Sequence, residues 1–289
     1  MTTHVGPGVP QALVSVVIPA LNEARNLPHV FARIPEDVYE VILVDGSSVD
    51  DTVLVARQLR PDVLVVSQTR KGKGNALACG FAVATGDIIA MIDADGSADA
   101  SEIPRFVEAL LDGADFAKGT RFANDGGSGD ITRLRSLGNR LLSTFFNLCY
   151  GTSYSDLCFG FNVFWRRHVP VFDLDAASPP PPEDDRCLWG DGFEVETLIH
   201  VRVAKAGLVV AEIPSFEHAR IHGVSNLSAV SDGLRVLRTI LAEWRQDRAR
   251  APSAVMAASA LSRQDEHAQT IDGNGRLTYP SPAIGQTGE

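Results

Sequence analysis

The chain has 289 residues, of which 45% are hydrophobic and 21% are charged, a composition typical of a globular protein with a sizeable core. Its formal net charge of −10 argues against a general nucleic-acid binder, because binding to a phosphate backbone requires a basic surface. The four cysteines are far apart and form no C-x-x-C pair, which favours a reducing cytoplasm. With no run of about 18 apolar residues and no secretory signal, no membrane-spanning segment is predicted.

Short apolar runs rich in β-branched residues alternate with segments of helical periodicity in the first part of the chain. The strand-like runs lie at 13–18, 39–44, 63–66 and 88–92, and the helical segments between them lie at 23–33, 50–59 and 75–84. This alternation predicts an α/β fold with a mostly parallel central sheet and helices on both faces.

Beyond residue 113 the alternation becomes looser. Strands are predicted at 115–118 and 208–213, helices at 134–150, 193–206 and 227–248, and an extended surface loop at the proline-rich segment 178–185. The tail is dominated by small and polar residues, which favours disorder. The predicted organisation is a flexible leader at 1–12, one domain at 13–250 with halves at 13–112 and 113–250, and a disordered tail at 251–289.

The segment LLSTFFNLCY, residues 141–150, is apolar on nearly every side of the predicted helix. Helices of this kind are most often buried, so a place in the core is the preferred interpretation. The alternative is an interfacial surface that contacts a membrane.

Polar residues gather where three of the predicted strands end. The segments are PALNE at 19–23, VDGSSVDDT at 44–52 and DAD at 93–95. Ligands of open parallel sheets bind beyond the carboxyl ends of the strands. Asn22 or Asp50 could instead cap the helix that follows, but grouped carboxylates repel one another unless a cation or a donor-rich ligand lies among them.

Asp93 and Asp95 are separated by one residue at the end of an apolar strand. Alternate residues of a strand point to the same side, so both carboxylates can reach one ligand. Their hard oxygen atoms favour Mg²⁺ or Mn²⁺. Two carboxylates are too few for a complete metal cage, and a diphosphate-bearing substrate would supply the missing ligands.

The turn RKGKGNAL, residues 70–77, lacks the spacing of a P-loop. It does combine accessible backbone N–H groups, Lys71, Lys73 and the start of a helix, which together suit a nucleotide or a diphosphate. The alternative is a solvated basic turn.

These motifs, taken in order, resemble those of family 2 glycosyltransferases with the GT-A fold. The branch that the chain most resembles is the dolichol-phosphate and polyprenol-phosphate sugar synthases, and the resemblance covers about residues 14–241. The motifs that carry it are PALNE, VDGSSVDDT, KGKGNAL, DADGSADASEI, GTRF (119–122), RSLGN (135–139), SDLCFGFNVF (155–164) and RIHGVSNL (220–227).

The resemblance implies a Rossmann-like, mostly parallel sheet with a C-terminal extension on the acceptor side. It also implies a nucleotide-sugar site with a divalent cation, Mg²⁺ or Mn²⁺, held by Asp93 and Asp95. The residues that the resemblance places around the donor are Pro19, Leu21, Glu23, Asp45, Lys73, Asp93, Ala94, Asp95 and Arg220.

On the acceptor side, the resemblance implies that Arg121 and Arg135 bind an acceptor phosphate, a role that suits the planar arginine fork. Asn139 stands where that branch often has serine, and is expected to contact the acceptor. A hydroxyl acceptor would instead need a base, for which Asp191 and Glu196 are candidates. Asp191 could also serve only to cap the helix that follows.

The resulting prediction is a metal-dependent inverting glycosyltransferase that moves a sugar from a GDP- or UDP-sugar to polyprenyl or dolichyl phosphate. One alternative is the same transfer to a soluble hydroxyl or a small phosphorylated acceptor, as in polysaccharide, glycolipid or secondary-metabolite glycosylation. Another is a non-catalytic nucleotide-sugar-binding protein. The expected location is the cytoplasm, with peripheral contact at the cytoplasmic face of a membrane if the acceptor is a lipid.

Overall fold

The computed structural model describes residues 12–123, 125–184, 186–223 and 231–246, together with the backbone at 270–271 and 277–278. The strands are β1 (Val14–Ala20), β2 (Glu40–Asp45), β3 (Leu64–Ser67), β4 (Ile88–Met91), β5 (Phe116–Thr120), β6 (Gly127–Ser128), β7 (Asn162–Trp165), β8 (Val210–Pro214), β9 (Phe216–Glu217), β10 (Thr270–Ile271) and β11 (Leu277–Thr278).

Seven of these strands form one sheet, in the order β3-β2-β1-β4-β7-β5-β8. Neighbouring strands are parallel except at β7, which runs antiparallel to both β4 and β5. Two small sheets pair β6 with β9 and β10 with β11. The predicted α/β class with a mostly parallel central sheet is therefore confirmed.

The described chain also forms helices. They are α1 (Leu27–Phe31), α2 (Thr52–Leu59), α3 (Lys73–Val83), α4 (Ile103–Leu111), α5 (Arg133–Tyr150), α6 (Val169–Phe172), α7 (Val195–Lys205) and α8, which covers 231–246. Of these, α3 and α4 pack against the sheet. The sequence prediction missed α4, α6 and β7, and also the short strands β6, β9, β10 and β11. In α4, Ile103, Phe106 and Leu110 recur at helical spacing and are buried against the sheet.

The central strands are buried on both faces, because helices cover each side of the sheet. Val16 and Ile18 of β1 belong to one core cluster, whereas Val17 belongs to the cluster on the opposite face. Aromatic residues fill both layers: Phe106 stacks on Phe161 in the first, and Phe116 stacks on Phe164 in the second.

The preferred place of 141–150 in the core holds for only one face of the helix. Phe146 is fully buried in a third cluster that includes Leu157 and Val201, but Leu141 and Leu148 are 63% and 80% exposed. Helix α5 therefore has one face in the core and another in solvent.

The chain separates into two compact units, Met1–Ile240 and Leu241–Glu289. The predicted leader at 1–12, except Ala12, and most of the predicted tail at 251–289 lie outside the described residues, so the predicted domain boundaries stay predictions. Within the part of the chain that is described, no helix has the length and apolar character required to cross a bilayer.

Candidate active site

The loops that follow β1 and β2 are joined by their own polar side chains. The Asn22 side chain accepts a hydrogen bond from the Val49 N–H at 2.8 Å, and the Asp45 carboxylate accepts one from the Ser48 N–H at 3.3 Å. Asp50 accepts the N–H of Thr52, the first residue of α2, at 3.0 Å, although Asp51 is the residue that directly precedes this helix. Leu21 is 55% exposed on the same loop, so an apolar surface lies beside these polar groups.

Four carboxylates and two cations form a continuous cluster at the carboxyl ends of β1 and β4. Lys73 lies 2.5 Å from both Asp93 and Glu196. Arg220 lies 2.9 Å from Asp95 and 3.1 Å from Glu23. We call these six residues the carboxylate cluster. The structure thus brings together five residues assigned to the donor side and adds Glu196, which the sequence suggested only as an alternative base.

Glycine at position 160 makes room for this arrangement. Gly160 precedes β7, whose antiparallel pairing with β4 brings it alongside the residues that follow β4. A Cβ atom there would lie 3.3 Å from an Asp93 oxygen and 3.4 Å from both the Glu196 carboxylate and the Lys73 amine. A side chain at this position would therefore press on the charged groups.

Burial and the charges of neighbouring side chains shift the pKa values of several groups in the carboxylate cluster. Burial, together with the nearby charges of Asp95 and Glu196, raises the pKa of Asp93 even though Lys73 opposes this shift. Burial also raises the pKa of Glu23, against the effect of its hydrogen bond from Asn26. For Lys73, burial alone would lower the pKa, but the charges of Asp93 and Glu196 outweigh it and raise the pKa above its ordinary value.

The carboxylate cluster suits a divalent cation that brings other ligands with it. When its four carboxylates are ionised, the two cationic side chains leave an excess of two negative charges. One oxygen of Asp95 accepts the Ser97 N–H at 2.9 Å, which orients that carboxylate. Within the described ranges, no three acidic, histidine or cysteine side chains converge as a complete metal site. Asp93 and Asp95 therefore fit a cation such as Mg²⁺ or Mn²⁺ that completes its shell with water and phosphate oxygens.

The turn before α3 is anchored rather than freely solvated. Gly74 donates its N–H to the Asp191 carbonyl at 2.7 Å, and a Cβ atom at Gly74 would lie only 1.9 Å from the Gly190 carbonyl oxygen. Arg70 is buried and forms two bonds with the Asp191 carboxylate, at 2.7 and 3.0 Å. These contacts fix Lys73, the first residue of α3, at the carboxylate cluster.

Asp191 has a different position from the one expected of a base. Its carboxylate is occupied by Arg70, and its bonds raise the pKa of that guanidinium. Nor does it cap the helix that follows, because Glu194 is the residue that precedes α7. Glu196, in the first turn of α7, faces Lys73 and Asp93 instead. The GDGFEVE segment contains both acids, but the sequence alone does not indicate which one the fold turns toward the site.

Arg121 is also engaged within the protein. It forms two bonds with the buried Asp156, at 2.7 and 2.9 Å, and its Nη1 binds both oxygens of Glu217. The guanidinium lies 5.2 Å from the centre of the Phe159 ring. Burial would lower the pKa of Arg121, but the hydrogen bonds that it donates to Asp156 raise it. This environment favours a structural role over direct contact with an acceptor.

The other two acceptor-side candidates lie on α5. Thr132 caps this helix by accepting the Arg135 N–H at 3.2 Å, and the Arg135 side chain lies 3.8 Å from Asp130. Asn139 is buried and its oxygen accepts the Cys158 N–H at 3.1 Å, while its Nδ2 has no partner among the described residues. Asn139 lines a cavity of about 280 Å³, whose other lining residues are Phe122, Arg140, Ser143, Thr144, Asn147, Tyr154 and Ser155.

The fold and the site together define a glycosyltransferase of the GT-A type. The sequence model of glycosyl transferase family 2 matches residues 15–170, and the chain belongs to this family. The family resemblance and the predicted enzyme class, a hexosyltransferase, are confirmed.

Two relatives align with this chain over most of its length, at 28% and 29% identity. Glycosyltransferase AglJ of Haloferax volcanii is 28% identical over 222 residues, covering 76% of this chain and 68% of AglJ. The polyprenol monophosphomannose synthase of Mycolicibacterium smegmatis is 29% identical over 249 residues, covering 81% of this chain and 89% of the synthase. The chain spans about half the length of several other relatives.

A solved structure shares the fold over most of its length. Glucosyl-3-phosphoglycerate synthase of Mycobacterium tuberculosis, in complex with Mn²⁺, UDP and glucosyl-3-phosphoglycerate, aligns with a TM-score of 0.59 at 25% identity. The alignment covers 80% of each chain. A GT-A neighbour thus binds a divalent cation and a uridine diphosphate, and its product carries the sugar on a small phosphorylated acceptor.

Proposed function

We propose that this protein is a metal-dependent inverting glycosyltransferase that transfers a sugar from a GDP- or UDP-sugar to polyprenyl phosphate. The observation that carries the proposal is the carboxylate cluster, whose excess negative charge lies at the ligand-binding edge of the sheet. Polyprenol-phosphate and dolichol-phosphate mannose-transferring relatives support the lipid-phosphate acceptor.

On the donor side, Asp93 and Asp95 would hold Mg²⁺ or Mn²⁺, with Ala94 between them and Pro19, Leu21 and Asp45 near the nucleotide. The cation supplies charge stabilisation for the departing diphosphate. Lys73 and Arg220 contribute two further positive charges at the edge of the cluster, and Glu23 and Glu196 orient them through their ion pairs.

A phosphate monoester acceptor is already an anionic nucleophile, so it needs positioning rather than a strong base. We assign this task to Arg135 and to Asn139, whose Nδ2 has no partner in the part of the chain that the structure describes. Arg121 and Asp191 are each held in a buried ion pair, and we assign both of them a structural role beside the site. The sugar's anomeric carbon would be attacked from the face opposite the nucleotide in a single displacement.

The test combines purified protein with labelled GDP- and UDP-sugars, Mn²⁺ and polyprenyl phosphate in detergent. We expect labelled lipid with one donor, loss of product on addition of EDTA, and loss of Mn²⁺-dependent nucleotide binding in Asp95→Asn. Asp99→Asn is the matched control, because Asp99 caps the helical turn that follows and lies outside the carboxylate cluster. Unchanged Mn²⁺-dependent nucleotide binding in Asp95→Asn would contradict the metal assignment.

A second candidate is transfer to a small phosphorylated or hydroxyl acceptor, favoured by the product named for the structural neighbour. In that case Glu196 becomes the candidate base, since it lies 2.5 Å from Lys73 and faces Asp93 beside Gly160. Glu196→Gln should then lower kcat far more than Asp191→Asn does. If the protein binds UDP or GDP with Mn²⁺ but neither transfers nor hydrolyses any donor, a non-catalytic nucleotide-sugar-binding role is favoured.

We also propose that the protein works at the cytoplasmic face of a membrane when its acceptor is a lipid phosphate. The headgroup of such an acceptor lies at the bilayer surface, so the site must come within reach of that surface. Peripheral contact would satisfy this requirement without a spanning helix.

A further inference from the structure

Four leucines of α5 are more than half exposed and lie on one side of the helix. Their exposed fractions are 65% for Leu134, 56% for Leu137, 63% for Leu141 and 80% for Leu148. With about 100° of rotation per residue, they occupy an arc of about 60° and extend over about 21 Å. We call these four residues the leucine stripe. The buried residues of α5 lie on the opposite side, and they are Asn139, Ser143 and Phe146.

The charge of α5 is opposite to that of the chain as a whole. Its 18 residues include three arginines and no aspartate or glutamate, whereas the chain carries a formal net charge of −10. Arg133 and Arg140 are exposed, and helical geometry places both on the same flank of the leucine stripe. An apolar stripe bordered by arginines is the arrangement that binds the interface of anionic lipids.

We propose that the leucine stripe docks this protein on an anionic lipid surface, with α5 lying flat at the interface. The biological role of this docking rests on the proposed function, because docking would bring a lipid-phosphate acceptor to the acceptor side of the site, where α5 lies. A contact between two copies of the chain is a weaker explanation. It would place two α5 helices against each other, and neither helix has a carboxylate to pair with the arginines of the other.

The test is sedimentation of the full chain with vesicles, without donor or acceptor present. Wild-type protein should bind vesicles of phosphatidylcholine mixed with phosphatidylglycerol more tightly than vesicles of phosphatidylcholine alone. The variant Leu141→Ser/Leu148→Ser should lose about 100-fold in partition coefficient, since each inserted leucine contributes roughly tenfold. The matched control is Leu54→Ser/Leu111→Ser, at positions 54% and 57% exposed on α2 and α4, which should bind like wild type.

The arginines can be tested separately. Arg133→Gln should weaken binding to the anionic vesicles about fivefold and leave binding to phosphatidylcholine nearly unchanged. Equal loss of binding in the Leu141→Ser/Leu148→Ser variant and in the control would overturn the inference. So would a wild-type dimer that the stripe variant dissociates while neither protein binds vesicles. Mn²⁺-dependent nucleotide binding, measured in the same variants, separates a failure of docking from a failure of the proposed function.

Discussion

Replacement of Arg121 separates a structural role from a role in acceptor binding. Its guanidinium makes two bonds to Asp156 and two to Glu217, at distances between 2.7 and 3.1 Å. Asp156 is fully buried, so Arg121→Met would leave this carboxylate without its main countercharge. The change retains an unbranched apolar side chain against Phe159 and removes only the charge and its hydrogen bonds.

The expected loss follows from the burial of the pair. Breaking a buried ion pair by removing one partner costs about 3 to 5 kcal/mol of unfolding free energy. Lys118 is also buried near Asp156 and its charge compensates in part, which places the expectation in the lower half of that range. At about 2 to 4 °C per kcal/mol for a chain of this size, Tm should fall by roughly 6 to 16 °C.

Urea denaturation followed by tryptophan fluorescence measures this loss. Arg135→Met is the control, because its ion pair with Asp130 is long and partly exposed and should contribute less than about 1 kcal/mol. The double variant Arg121→Met/Asp156→Asn should recover part of the stability, since it also removes the buried charge. A loss below about 1 kcal/mol in Arg121→Met, with a large rise in acceptor KM, would refute the structural assignment.

Four other predictions concern three glycines and the effect of pH. Gly74→Ala should cost at least about 3 kcal/mol because its Cβ would collide with the Gly190 carbonyl. Gly138→Ala, in open space on α5, should instead stabilise by about 0.5 to 1 kcal/mol, and thermal unfolding checks both. Gly160→Ala should weaken Mn²⁺-dependent nucleotide binding about tenfold with little change in Tm, as titration calorimetry would detect. Burial would raise the pKa of Asp156, but its arginine partner lowers it, so its stabilising effect is complete above the ordinary pKa. Below about pH 4, wild type should therefore lose unfolding free energy more steeply than Asp156→Asn.

The placement of Asp93, Asp95 and Lys73 in one cluster could be predicted because these residues follow directly from local patterns. Asp93 and Asp95 come at the end of an apolar run, and Lys73 stands where a glycine-rich turn becomes a helix. Strand alternation then places these segments at one edge of a parallel sheet. The structure brings Asp93 and Lys73 within 2.5 Å of each other, as that placement requires.

The partners of the remaining charged residues could not be predicted in the same way. Arg121 meets Asp156 and Glu217, which are 35 and 96 residues away in sequence, and a lone arginine carries no signal of such a pairing. Asp191 and Glu196 are five residues apart in one segment, yet one faces Arg70 and the other faces the carboxylate cluster. Tertiary packing decides which way each side chain points, and periodicity contains no information about it.

The pairing of β7 with β4 links the carboxylate cluster to the hydrophobic core. Only the present alignment of the two strands brings Gly160 beside Asp93, and a shift of one residue would bring Phe159 or Phe161 there instead. The ring of Phe161 stacks on that of Phe106, with centroids 4.2 Å apart, and so helps to hold the alignment. We therefore expect a substitution at Phe106, deep among apolar side chains, to weaken the proposed nucleotide binding although Phe106 is not among the residues assigned to the donor.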